Sequence, residues 1–180
     1  MTHKKVIFMG TPEFSVPILE AIVKSSYTVA CIYTQAQKKS NRGQKFNISP
    51  VHKYAKNQKL IVRNPENLNT KEEFDFIKNL NPDLAIVVAY GQIISKKILN
   101  IPKEGFINIH ASLLPKWRGA APIQRSIMNS DFETGISVMK ITEGLDMGPV
   151  AKTIKIKINE LITAEDLSKN LSKISAKLII

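Results

Sequence analysis

The segment Asn108-Ile109-His110 carries an amide and an imidazole two positions apart. In a strand, such residues point to the same face. Ile107 and Ile109 would then face the other way, into apolar packing. An amide N–H can donate to an oxygen that gains negative charge, and an imidazole can donate a hydrogen bond or take up a proton near neutral pH. The pair suits acyl chemistry. A third group is needed to orient the imidazole or tune its basicity. Asp146, in the glycine-bracketed stretch Gly144-Leu145-Asp146-Met147-Gly148-Pro149, is the best candidate. Taken singly, an Asn-x-His is usually structural and an Asp between glycines is usually a turn residue. The two segments together, separated by Trp117 to Gln124, make Asn108, His110 and Asp146 the expected catalytic set.

The elements that must position these residues follow from periodicity. Val6-Ile7-Phe8-Met9 reads as a buried strand ended by Gly10-Thr11-Pro12. Val16 to Val23 spaces Val16, Leu19, Ile22 and Val23 along one helical face. Thr28 to Tyr33 is a second strand, followed by a polar, lysine-rich loop from Gln35 to Asn47. Ser49-Pro50 resembles a helix start, with serine at the cap and proline at the first helical position. Leu60 to Val62 reads as a short third strand. Thr70-Lys71-Glu72-Glu73 has the form of a capping box. Phe74, Ile77 and Leu80 give that helix its apolar face, and Asn81-Pro82 stops it. Leu84 to Ala89 is continuously apolar, as in a central strand covered on both sides. Gly105 to His110, Thr134 to Ile141 and Val150 to Ile158 read as strands, and Ala121 to Asn129 as a helix. Thr163 opens a final helix.

This rhythm predicts an α/β fold: an open, mainly parallel twisted sheet with helices on both faces. Ligands of such sheets sit at the carboxyl ends of the strands. That rule directs attention to Gly10 to Phe14, Ala89 to Gln92 and Asn108 to Pro115. A dinucleotide site is disfavoured at the first of these. Its fingerprint needs three spaced glycines, whereas Met9-Gly10-Thr11-Pro12-Glu13-Phe14 has one glycine and places Pro12 and Glu13 where phosphate would sit. No Walker A sequence is present either.

The chain of 180 residues carries a formal net charge of +11. That balance favours a polyanionic partner, although an abundance of Lys, Ile and Asn is also an ordinary compositional bias. The single cysteine, Cys31, excludes an intrachain disulfide and reads as a core residue. One cysteine and three scattered histidines make a structural zinc site improbable, and no metal is expected. The apolar run Val6 to Met9 is far too short for a signal peptide, and Leu84 to Tyr90 is too short to cross a bilayer. A cytoplasmic monomer that does not engage membranes is the expectation.

These motifs resemble the folate-dependent formyltransferase family. It carries an Asn-x-His strand followed by Ser-Leu-Leu-Pro, here Asn108 to His110 and Ser112 to Pro115. Its later Gly-Leu-Asp-x-Gly loop is here Gly144 to Gly148. The resemblance runs over essentially the whole chain and is closest to members that act on charged initiator tRNA. Its marks are Met9 to Phe14, Val88-Ala89-Tyr90-Gly91 and, above all, Trp117-Arg118-Gly119-Ala120-Ala121-Pro122-Ile123-Gln124-Arg125-Ser126. The resemblance implies a Rossmann-like catalytic domain over residues 1–180. It implies 10-formyltetrahydrofolate as formyl donor and the α-amino group of methionine on initiator tRNA as acceptor. By the same carry-over, Asn108 would donate to the oxyanion and His110 would help hold that charge and move the amine proton. Asp146 would keep His110 in register. Ser112, Leu113, Leu114 and Pro115, with Tyr90 and Gly91, would lie along the folate.

Two departures stand out. The family's basic loop after the second strand reaches the tRNA acceptor stem. Here Arg42, Gly43 and Lys45 match, but Ala36-Gln37-Lys38-Lys39 replaces the usual Pro-Asp-Arg-Pro. Lys38, Lys39, Arg42 and Lys45 remain the expected tRNA contacts. The second departure is that the family's β-barrel domain, which helps hold tRNA, has no counterpart in these residues. With the apolar ending Leu178-Ile179-Ile180, this suggests a piece of something longer. Two other readings stay open at this point. One is a formyltransferase acting on glycinamide ribonucleotide or an amino sugar. The other is a non-catalytic module that binds folate or RNA.

Overall fold

The computed structural model describes residues 3–36, 38–40, 45–159 and 161–180. In chain order the strands are β1 (Lys5–Gly10), β2 (Thr28–Tyr33), β3 (Lys38–Ser40), β4 (Lys45–Asn47), β5 (Val62–Arg63), β6 (Leu84–Val88), β7 (Phe106–His110), β8 (Glu133–Lys140) and β9 (Val150–Lys157). The helices are α1 (Val16–Lys24), α2 (Pro50–Asn57), α3 (Lys71–Leu80), α4 (Lys96–Leu99), α5 (Pro122–Met128) and α6 (Ala164–Leu178). Seven strands form one sheet in the order β5-β2-β1-β6-β7-β8-β9, and β3 and β4 form a separate antiparallel ribbon. Pairings from β5 through β7 are parallel, while β7–β8 and β8–β9 are antiparallel. This is the expected α/β architecture with helices on both faces.

Alternation along the strands divides the core in two. Val6 and Phe8 of β1, with Ile86, Val88, Ile109 and Ile136, pack against α1, α2, α5 and α6. Ile7 and Met9, with Cys31, Tyr33, Ala85, Val87 and Phe106, pack against α3 and α4. The first face therefore carries four helices and reaches β8. The second carries two, and its apolar cluster ends at β7, beyond which Ser137 and Met139 of β8 lie buried beside His110 and Asn108. Asn108 and His110 follow Phe106 at period two, so they emerge on the second face where the helical cover ends. Cys31 is buried as expected, and its burial pushes the thiol up to about 12.

Local chemistry explains the boundaries. The Ser49 and Thr163 side chains cap their helices by accepting from His52 N and Asp166 N. Thr70 caps α3 in the same way, but the return half of the capping box is missing. The Glu73 carboxylate instead turns inward, accepting from Arg63 Nε at 2.7 Å and from the Tyr33 hydroxyl at 2.7 Å. A charge-assisted bond to a half-buried guanidinium outcompetes one to a helix-end N–H. Burial pushes the Glu73 carboxyl up, but its bonds from Arg63 and Tyr33 outweigh this and hold it below the usual range.

Three readings of the sequence are corrected. The expected strand Leu60 to Val62 lies at Val62–Arg63, where it pairs with the end of β2. The expected loop Gln35 to Asn47 contains β3 and β4. The short helix α4 was not anticipated. The terminal residues Leu178 and Ile179 pack against the first core, whereas Ile180 is exposed. No helix among the described residues is long and apolar enough to cross a membrane.

Candidate active site

The site is built on β7 and on the loops that close over its uncovered face. Asn108 pairs in register with Met139 of β8, and His110 pairs with Ser137. Ile107 and Ile109 turn to the first core, which fixes the opposite orientation of Asn108 and His110. The loop after β8 curls back over this face and delivers Asp146.

Asp146 joins the set. Its Oδ1 accepts from Asn108 Nδ2 at 3.2 Å. Its Oδ2 accepts from the Gly119 backbone N–H at 2.8 Å and lies 3.6 Å from His110 Nδ1. The His110 and Asp146 side chains are only 7% and 13% exposed. The three side chains expected from the sequence therefore converge. Only one of the two Asn108 amide protons is used on Asp146, so the other remains available as a donor. His110 Nε2 lies 2.8 Å from the Trp117 carbonyl oxygen. A carbonyl can only accept, so Nε2 carries a proton and Nδ1 is the ring atom turned to Asp146.

The backbone is bent to make this possible. Ala89, Trp117, Ala121 and Asp146, on the loops around the site, have φ of +49°, +57°, +55° and +47°. Left-handed conformations of non-glycine residues persist only where surrounding contacts over-determine them. Trp117 is held by its indole Nε1, which donates to Asp131 Oδ2 at 2.6 Å.

Ser112 to Pro115 leave the end of β7 beside His110. Ser112 is buried, and its hydroxyl donates to the Lys116 carbonyl. Ser137 ties this strip to β8: its hydroxyl donates to the Ser112 carbonyl at 2.8 Å and accepts from Leu114 N at 3.1 Å. Leu113 and Leu114 are half-buried and Pro115 is exposed. Tyr90 turns its ring into the second core, where burial pushes its phenol up, and its carbonyl accepts from the Thr11 hydroxyl at 2.9 Å, so its side chain does not reach the expected folate strip. Gly91 is exposed with φ +85°. Its carbonyl accepts from Gln35 Nε2 at 3.0 Å, which docks the end of β6 onto the segment after β2.

Of the expected tRNA contacts, Lys38 and Lys39 lie on β3 and Lys45 on β4, while Arg42 falls outside the described residues. Sequence reading missed the Gly119 N–H, the Trp117 carbonyl, Asp131 and Ser137. The first two are backbone groups, and a side-chain motif does not reveal them. Ser137 left one signal, a small polar residue within the apolar strand Ile136 to Met139. A cavity of about 410 Å3 lies at the far, amino end of β7. Of its rim charges Lys96 pairs with Glu143, while Lys103 and Glu104 pair with Asp83 and Lys4 outside it, and it contains none of the groups above.

Comparison with known proteins identifies the family. Residues 4–180 match the family model described as formyl transferase. The chain is 56% identical over 178 residues to a methionyl-tRNA formyltransferase of Pelagibacter ubique, covering 98% of this chain and 57% of that protein. It is 51% identical to the Brucella canis protein of the same name, covering 98% and 58%. It thus spans a little over half the length of these relatives. Among solved structures, phosphoribosylglycinamide formyltransferase from Bacillus halodurans superposes with a TM-score of 0.80 at 22% identity, covering 97% of this chain and 91% of that one. A formyltetrahydrofolate deformylase from Pseudomonas syringae superposes with a TM-score of 0.76 at 18% identity, covering 99% and 60%. At such identities the structures speak for the fold, whereas the family match spans nearly the whole sequence. With its motifs, its sheet and this match in agreement, the chain belongs to the formyl transferase family.

Proposed function

We propose that this chain is the catalytic part of an enzyme that transfers a formyl group from 10-formyltetrahydrofolate to the α-amino group of methionine on initiator tRNA. The observation that carries the chemistry is the convergence of Asn108, His110 and Asp146 on one uncovered patch of β7. Attack of an amine on a formyl carbon builds negative charge on oxygen and positive charge on nitrogen. The free amide proton of Asn108 serves the first need, as preorganised donors do in acyl transfer. His110 and Asp146 serve the second, with Nδ1 accepting the proton released by the amine and the carboxylate stabilising the resulting imidazolium.

The donor fits the strip beside His110. Leu113, Leu114 and Pro115 offer apolar walls with peptide groups between them, which suits a flat heteroaromatic ring. The choice of acceptor rests on the Trp117 to Ser126 segment, on the net charge of +11 and on the likeness to proteins named methionyl-tRNA formyltransferase. Lys38, Lys39, Arg42 and Lys45 supply cationic contacts to the nucleic acid in this reading.

The test pairs the full-length protein and 10-formyltetrahydrofolate with methionyl-tRNA, glycinamide ribonucleotide and an amino-sugar nucleotide in turn. Transfer is expected to methionyl-tRNA. Faster transfer to either other amine, or none to any of them, would overturn the assignment.

A further inference from the structure

The site contains a second carboxylate that the chemistry above does not use. Asp131 sits at the turn between α5 and β8, where its backbone N–H donates to the Ser126 carbonyl at 2.9 Å. Its side chain is 6% exposed. It accepts from Trp117 Nε1 at 2.6 Å, from Asn129 Nδ2 at 2.8 Å and from Lys116 Nζ at 3.3 Å. Burial pushes its carboxyl up, but the bonds from Asn129, Trp117 and Lys116 outweigh this and hold it below the usual carboxylate range. Trp117, gripped by that carboxylate, stands at φ +57° and presents its own carbonyl to His110 Nε2 at 2.8 Å. Without a grip on the indole, a bulky residue in the left-handed region would relax toward ordinary backbone. Relaxation would swing the carbonyl away from the imidazole.

We propose that Asp131 is a positioning residue. By holding the Trp117 indole it fixes the Trp117 carbonyl, which keeps the proton on His110 Nε2 and leaves Nδ1 as the atom facing Asp146 and the reacting amine. The relay runs Asp131, Trp117 side chain, Trp117 backbone, His110. It rests on the catalytic role given to His110 above. Neither Asp131 nor the indole touches the reacting groups, so both act through the orientation and tautomer of one ring.

The test uses Asp131→Ala, Asp131→Asn, Trp117→Phe and the Asp131→Ala/Trp117→Phe double variant of the full-length protein. Asp131→Asn keeps an oxygen able to accept from the indole. Trp117→Phe removes the indole donor and keeps the backbone carbonyl. Asp131→Ala and Trp117→Phe should each lower kcat for formyl transfer by about 10- to 100-fold, the cost of sub-ångström misplacement, with KM for the folate donor little changed. The double variant should be no slower than either single one, and Asp131→Asn should recover most of the loss. Multiplying losses, an unchanged kcat in Asp131→Ala, or no recovery with asparagine would each overturn the relay.

A second readout needs no substrate. The ring 15N resonances of His110, assigned by comparison with His110→Asn, should report a proton on Nε2 in the parent protein at alkaline pH. In Asp131→Ala they should report a mixture of tautomers. A purely structural role for Asp131 would lower the unfolding temperature and leave the tautomer as it is, which also overturns the proposal. If the tautomer responds as expected while methionyl-tRNA is not formylated, the acceptor assignment fails and the relay stands.

Discussion

Replacing Asp146 by asparagine removes the carboxylate's charge. Asp146 occupies the left-handed region at φ +47°, which asparagine tolerates better than most residues. The Gly119 N–H can still be accepted by the remaining side-chain oxygen, so the loop should keep its path. What disappears is the negative charge 3.6 Å from His110 Nδ1, together with the bond that Oδ1 accepts from Asn108 Nδ2, because the amide group that replaces it is itself a donor. In the proposed mechanism His110 takes a proton from the attacking amine, and that charge would stabilise the imidazolium by about 4–5 kcal/mol at an effective dielectric of about 20. The amide dipole left behind returns part of this. The net loss should appear as roughly a 10²- to 10³-fold fall in the chemical rate. The measurement is a single-turnover transfer assay on the full-length protein with saturating donor and acceptor, so that product release does not mask the chemistry. The unfolding temperature should stay within a few degrees of the parent's. A single-turnover rate within about threefold of the parent's, with folding intact, would refute the claim that this carboxylate supports proton transfer.

Asn108→Ala should cost about 10²- to 10³-fold in kcat if its free amide proton meets the oxyanion, and parental turnover in a folded variant would rule that out. Neutralising Arg42 should weaken tRNA binding and reduce the slope of log affinity against log salt by about 1, and an unchanged affinity would count against the contact. Gly135→Ala should lower the melting temperature by several degrees, because a Cβ there would stand 2.0 Å from the Ile154 carbonyl oxygen and 2.6 Å from Leu113 Cδ2, an overpacking worth about 1–3 kcal/mol. A melting curve matching the parent's would show that β9 can yield at that point. The Glu73 carboxyl is held low in the folded state, so its contribution is present above the unfolded-state pKa of about 4.3 and is lost as the pH falls through the lower folded value. Glu73→Gln should therefore flatten the acid side of the stability profile below about pH 4.5, and identical acid slopes would contradict this.

The parts of the fold that were legible in the sequence are those dictated by local pattern. The buried runs Val6 to Met9 and Leu84 to Val88, the caps at Ser49, Thr70 and Thr163, and the period-two placement of Asn108 and His110 all follow from the spacing of side chains. Long-range competition stayed hidden. Glu73 had a local partner available and chose Arg63 and Tyr33, the latter forty positions away, because a guanidinium binds a carboxylate more strongly than a frayed helix end does. The start of β5 was misplaced for a related reason: pairing to β2, and not apolar character, selects Val62 and Arg63 over Leu60. At the site, side chains were predictable and backbone groups were not. The Gly119 N–H and the Trp117 carbonyl act through left-handed turns at Trp117 and Gly119, and nothing in the residue type of a tryptophan announces such a φ.

The unequal helical cover of the two sheet faces separates two tasks within one small domain. The side bearing α1, α2, α5 and α6 works as ballast: residues such as Ile22 or Leu171 can be repacked there, far from any reacting atom. The thinly clad side trades burial for access, and its polar residues could not sit beneath a full helical layer without losing their ligand. Selection for heat resistance should therefore gather its substitutions on the thick side and leave turnover almost untouched. Changes that extend cover over β7 should gain rigidity at the expense of catalysis.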